Sequence, residues 1–171
     1  MRHAVPSPRS AKMPADTVAL LRTLALHKVD HIVVGMTAGV LQGAPVITLD
    51  VDILYARTPT NIARLAAALS EVNARFRGDP RQIVPNVSHL ESMGHKLLET
   101  DHGDLDVLGT IDESAEYADL LEDTVTVDVE GMKIAVLSLA RLIEIKERAG
   151  RPKDLAVLPV LRSTLERAQR K

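Results

Sequence analysis

The chain contains no cysteine. That excludes a disulfide scaffold, a thiolate-ligated zinc site and thiol catalysis, and it fits a cytoplasmic setting. Aromatic residues are equally scarce: Tyr55, Phe76 and Tyr117 are the whole set. Stacking of bases on an aromatic platform is therefore excluded as a main binding mode, and the core has to be built from Leu, Val, Ile and Ala. No apolar run approaches the length of a membrane span. The N-terminus lacks the apolar stretch of a signal peptide. Charge of one sign does not dominate either, since the net charge is −2, so the chain is not a generally basic coater of nucleic acid.

What is present is enough for one compact domain: 171 residues, 46% of them hydrophobic. The charge is unevenly placed. Residues 1–14 carry +3, residues 15–140 carry −10, and residues 141–171 carry +5. An acidic body with a basic end can hold cations in one place and phosphates in another.

Hydrophobic spacing and breakers predict a mixed order of strands and helices. Residues 1–14, with Pro6, Pro8 and Pro14, read as a disordered tail. Asp16 caps a helix over 16–28. His31–Val34 reads as a short buried strand ending at Gly35, followed by a short helix from Thr37 to Gln42. Val46–Tyr55 reads as a second strand, and Pro59 opens a helix to about Val72. Residues 77–94 read as a loop with a short strand at Ile83–Val84. Strands over 95–100 and 104–109 are joined by Asp101-His102-Gly103, in the manner of a hairpin. A short helix over 113–122 follows, then a hairpin of 124–129 and 133–137 turned by Glu130-Gly131. Ser138 caps a helix that Gly150 ends. Pro152 opens the last helix, and Pro159 is expected to kink or split it. The expected architecture is α/β (α+β): a small mixed twisted sheet with flanking helices over 15–137, and a C-terminal helical subdomain over 138–171.

The chemistry concentrates in two strands. In Thr48-Leu49-Asp50-Val51-Asp52-Ile53, residues two apart share a face. Asp50 and Asp52 therefore project together, while Leu49, Val51 and Ile53 point to the core. Two adjacent carboxylates repel unless a cation lies between them. A third carboxylate comes from Asp104-Leu105-Asp106-Val107-Leu108. Asp104 and Asp106 share a face and compete for the role, and Asp106 is favoured by the apolar frame that follows it. Three oxygen donors without Cys or His suit Mg²⁺ or Mn²⁺. The turn at Gly35-Met36-Thr37 presents backbone N–H groups of the kind that hold phosphate. His89, His95 and His102 lack metal-ligand spacing. No Gly-x-Gly-x-x-Gly or Walker A sequence occurs, and neither Ser88 nor Ser138 sits in a nucleophile elbow.

This pattern resembles the nucleotidyltransferase superfamily with a polymerase-beta-like core. The resemblance rests on a hydrophobic residue and Gly35, then Asp50-x-Asp52, then a carboxylate on a later strand. It is nearest to the minimal, abortive-infection-type members found in toxin–antitoxin pairs. Their Gly-Gly-x-Ala is here Gly35-Met36-Thr37-Ala38, and Thr48 precedes the Asp-x-Asp as a Ser or Thr does there. Lys146-Glu-Arg-Ala-Gly-Arg151-Pro-Lys153-Asp154 is similar to the family's Lys…Arg-x-Lys-Asp segment. The resemblance spans about residues 31–165. Met36 departs from a small residue, and Val46 stands where related sequences have Arg.

The resemblance implies a Mg²⁺- or Mn²⁺-dependent enzyme. It would transfer a nucleoside monophosphate from an NTP such as ATP to an acceptor hydroxyl on tRNA, protein or a small molecule. Asp50, Asp52 and Asp106 would be catalytic and metal-binding. Gly35, Met36, Thr37, Lys146, Arg151 and Asp154 would bind the nucleotide. A toxin or antitoxin protein would be a partner, and a membrane would not. Two rival readings share these residues: a catalytically silent binding or antitoxin protein, and a metal-dependent nuclease.

Overall fold

The computed structural model describes residues 13–171. The expected tail over 1–14 thus lies, but for its last two residues, outside the described part. A seven-stranded mixed sheet runs through the domain in the order β3-β4-β5-β2-β1-β7-β6. Its centre is β1 (His31–Val34), β2 (Asp50–Tyr55) and β5 (Gly103–Leu108). β2 is antiparallel to β1 and parallel to β5. β4 (His95–Thr100) and β3 (Arg75–Phe76) extend one side, and β7 (Met132–Leu137) and β6 (Thr124–Val129) extend the other.

The alternation in β2 and β5 splits the sheet into two unlike faces. Val51, Ile53, Leu105 and Val107 are fully buried on one of them. Helix α1 (Thr17–Leu26) and helix α3 (Pro59–Glu71) cover that face, bringing Leu20, Leu24 and Leu69 against Leu105. Each such side chain contributes roughly 1.5–3 kcal/mol by leaving water. Asp16 accepts from Ala19 N and starts α1, and Thr58 accepts from Asn61 N and starts α3. Asn61 is buried and ties α3 to the strand ends: it donates to Asp30 O at 2.9 Å and Ala56 O at 2.8 Å, and accepts from Asp30 N.

The opposite face carries Asp50, Asp52, Asp104 and Asp106. Beside it lie α2 (Gly35–Leu41), α6 (Leu139–Ala149) and α7 (Pro152–Gln169). Ser138 caps α6 by accepting from Arg141 N, and Gly150 ends it at φ +63°. Four expectations need correction. The helix after β1 begins at Gly35 rather than Thr37. β2 begins at Asp50 rather than Val46, because β5 turns away at Gly103 and leaves residues 46–49 no strand to pair with; Leu49 is exposed rather than in the core. The stretch 77–94 contains a helix, α4 (Val87–Glu91), started by a reciprocal Asn86–His89 cap. Ile83 contributes only a carbonyl to Phe76 N.

Two more concern the later chain. Residues 111–116 turn through Asp112 and Glu113 at positive φ, so helix forms only at α5 (Tyr117–Leu120) and a following 3₁₀ turn. α7 is one helix through Pro159. Pro159 and Leu155 are exposed, so solvent reaches the side of the helix where the Leu155 carbonyl loses its partner.

Candidate active site

Register brings the acids together. β2 and β5 run side by side with Asp50 opposite Asp104 and Asp52 opposite Asp106. Oxygens of Asp50, Asp52 and Asp106 all lie within 4.8 Å of one another. Unscreened, such carboxylates repel strongly. Burial, followed by the charges of Asp50 and Asp106, pushes Asp52 up to about 7. Burial also raises Asp106, and Arg77 partly offsets it. A cluster that holds its negative charge at such cost, with oxygen donors alone, fits a hard divalent cation such as Mg²⁺ or Mn²⁺.

The neighbouring turns are shaped around these acids. Gly35 has φ +60°, and a Cβ there would collide with Asp52 Oδ2 and stand 3.1 Å from its Cγ. Glycine therefore serves both the backbone conformation and the close approach of the carboxylate. Thr37 is buried, and its Oγ1 donates to Asp50 O at 3.0 Å. Its side chain fastens α2 to β2 and does not line the cleft. Thr48 Oγ1 donates to the same carbonyl at 3.1 Å. Met36 lines the cleft while packing partly against the core.

Helices α6 and α7 supply the facing wall. Lys146 Nζ stands 3.0 Å from Asp154 Oδ1, and Arg151 Nε stands 2.5 Å from Asp154 Oδ2. Asp154 is buried and Arg151 is largely exposed. Burial raises the Asp154 carboxyl, but the hydrogen bonds from Arg151 and Lys146 outweigh it and hold the group below the usual range. Between this wall and the acidic face lies a cleft of about 880 Å³ that contains Asp50, Asp52, Asp106, Lys146 and Arg151 in its lining.

One residue of the cleft was not legible in the sequence. Arg77 follows β3 and reaches across β4: its Nε is 2.9 Å from Asp104 Oδ2 and its Nη2 is 2.5 Å from Asp106 Oδ1. The same Nη2 donates to Leu98 O. It pairs with both acids, of which Asp106 belongs to the cluster and Asp104 does not. Nothing local marks this arginine, which sits in a stretch read as loop, because its partners are strand residues far along the chain.

No protein-family model matches the sequence, and no curated protein matches it. Solved structures do. A protein of Thermotoga maritima described as a nucleotidyltransferase superposes with TM-score 0.53 at 22% identity, over 82% of this chain and 86% of its own. The solution structure of the antibiotic-resistance factor ANT(2'')-Ia gives TM-score 0.56 at 14% identity, over 86% of this chain and 83% of its own. The crystal structure of ANT(2'')-Ia in complex with adenylyl-2''-tobramycin gives TM-score 0.56 at 15% identity, over 85% of each chain.

Proposed function

From the nucleotidyltransferase fold that this chain carries, we propose that it transfers a nucleoside monophosphate from an NTP to an acceptor hydroxyl. The observation that carries this reading is the cluster of Asp50, Asp52 and Asp106 on the floor of a cleft whose facing wall bears Lys146 and Arg151. The acceptor oxygen forms a bond to the α-phosphorus, the bond to the bridging oxygen breaks, and pyrophosphate leaves. When bound, a divalent cation supplies charge neutralisation at the phosphates and activation of the hydroxyl.

The chain's own residues divide the remaining work. Asp50, Asp52 and Asp106 would hold the cation, and Asp106 is also the candidate base for the hydroxyl proton. Arg77 pairs with Asp106 and Asp104 and keeps Asp106 in place. The backbone turn at Gly35 and Met36 faces the phosphates, and Thr37 holds that turn through the Asp50 carbonyl. Lys146 and Arg151 meet the triphosphate charge, oriented by Asp154. The pair α6 and α7 acts as the subdomain that closes the cleft. The acceptor is RNA, a protein or a small molecule; ANT(2'')-Ia, seen with adenylyl-2''-tobramycin, is an example of the last kind. A toxin–antitoxin setting remains part of the proposal, with a small partner protein as its occupant.

The test is incubation of the protein with each NTP, Mg²⁺ and cell extract, followed by measurement of pyrophosphate and of acceptor mass. Release of pyrophosphate with addition of a nucleoside monophosphate, lost in Asp50→Asn/Asp52→Asn, is the expected result. NTP binding without pyrophosphate release would make the chain a silent binding protein. Nucleic-acid cleavage without NTP would make it a nuclease.

A further inference from the structure

The cleft's lining says how its nucleotide is chosen. Of the α6 residues that line the cleft, Leu142, Ile145, Lys146 and Ala149 fall on one stripe, with Arg148 beside it. Val157 of α7 and Met36 of α2 add to it. This stripe is aliphatic apart from Lys146, and the charged groups of the wall gather at the α6–α7 junction, in Arg148, Arg151, Lys153 and Asp154. Phe, Tyr, Trp, Asn and Gln side chains are missing from the cleft among the described residues, and its one ring is the exposed His95 imidazole. Tyr55 is buried elsewhere with its hydroxyl on Leu90 O, and Phe76 packs edge-on against His89.

Most of the polar groups that line the cleft are already engaged, the exceptions being the exposed Glu113 and Lys153. Thr48 donates to Asp50 O, Thr110 donates to Met93 O, and the His95 ring meets Thr110 O. Lys146 and Arg151 both bind Asp154, and Arg148 is paired with Asp112. Within α6 and α7 the backbone is spent on the helices' own hydrogen bonds, and at their junction Gly150 N donates to Lys146 O while Asp154 N and Leu155 N donate to Arg151 O. Even the Leu137 carbonyl, where β7 reaches the cleft, accepts from Gln42 Nε2 at 2.8 Å. Glu113, on the turn beside Arg148, and Lys153, at the start of α7, are exposed charges, and in solvent they discriminate weakly.

We propose that this site selects its nucleotide by the phosphates and not by the base, so that purine and pyrimidine triphosphates bind alike. The inference rests on the nucleotidyltransferase reading and specifies the substrate class of that same site. Strong discrimination between similar ligands comes from buried polar groups that a wrong ligand leaves unpaired, whereas an apolar seat gives little. A methionine in that seat supports the same conclusion, because its unbranched chain adapts to ligands of different outline. Affinity is left to Lys146, Arg151 and the carboxylate-bound cation, all of which act on phosphate.

Calorimetric titration of the full chain in saturating Mg²⁺ with ATP, GTP, CTP, UTP, inorganic tripolyphosphate and adenosine tests it. The four nucleotides are expected to bind within about tenfold of one another, tripolyphosphate within about tenfold of ATP, and adenosine not measurably. A wider spread among the four, or adenosine binding as tightly as ATP, overturns the proposal. A preference that collapses in Glu113→Gln overturns it too and identifies the base reader. Failure of all four and of tripolyphosphate to bind the folded protein refutes the nucleotidyltransferase site itself, a result distinct from a base preference.

Discussion

Gly35 and Asp52 occupy nearly the same space: a Cβ on Gly35 would stand 3.3 Å from Asp52 Cβ and overlap its carboxylate. The turn after β1 and the acid of β2 are therefore one unit. Gly35→Ala is expected to cost about 1–2 kcal/mol for a side chain at positive φ and to displace Asp52. Urea denaturation should show the stability loss, and Mn²⁺ titration should show weaker binding. Unchanged Mn²⁺ affinity would separate the turn from the acidic cluster.

The cluster itself predicts a metal-dependent stability. A cation that binds the folded chain raises its melting temperature by mass action. Mg²⁺ is expected to raise that of the wild type and to leave Asp50→Asn/Asp52→Asn unmoved. An equal rise in both proteins would remove these residues from the metal site. Without metal the double variant should be at least as stable as the wild type, because like charges have been removed.

Asp52 also sets a pH dependence. Its folded value of about 7 lies above its unfolded value, so the folded chain binds the proton more tightly. The stabilising contribution is present at acidic pH and is lost as pH rises toward about 7. Asp52→Asn removes that loss. In urea titrations without metal, the variant should therefore gain on the wild type as pH rises through this window. Affinity of the wild type for Mg²⁺ should increase over the same range, as metal displaces the proton. A constant stability difference across the window would contradict the raised value.

Asp154 is the common partner of Lys146 and Arg151, and its depressed carboxyl has the opposite sign. Its contribution is present at neutral pH and disappears as pH falls through the folded value. Asp154→Asn removes the charge that two cations share, at a cost of roughly 3 kcal/mol for a broken buried pair. NTP affinity should drop while the Mg²⁺-induced thermal shift survives. Full NTP affinity in the variant would show that the two cations need no such holder.

Arg77 spans Asp104 and Asp106, both nearly buried. Arg77→Met leaves the two acids without this cation and should destabilise the chain by about 3 kcal/mol. The loss should shrink in Arg77→Met/Asp104→Asn, because one uncompensated charge is then gone. Equal losses in the single and double variants would mean that the arginine acts through packing alone. A double-mutant comparison of urea midpoints measures the difference.

The sequence by itself determined which side chains share a face and where most elements begin and end. Asp50 and Asp52 alternate with Val51 and Ile53, so their common projection follows from the two-residue period of a strand. Asp16, Ser138 and Gly150 marked helix ends because capping is a contact between near neighbours. Tertiary structure alone decided the partners. Asp104 and Asp106 share a face, and the apolar frame after Asp106 favoured it; the register that sets Asp106 opposite Asp52 brought it into the cluster, while Arg77, reaching across β4 from the edge of the sheet, pairs with both. Thr37 looked like a phosphate contact until α2 docked on β2 and engaged its hydroxyl with the Asp50 carbonyl. Residues 46–49 have strand-like composition, yet they lack a strand to pair with once β5 turns at Gly103, and Leu49 O accepts only from Ala15 N ahead of α1. Periodicity records the direction a side chain takes from its own backbone. Which atom it meets depends on strand order and register, set by contacts between residues far apart in the chain.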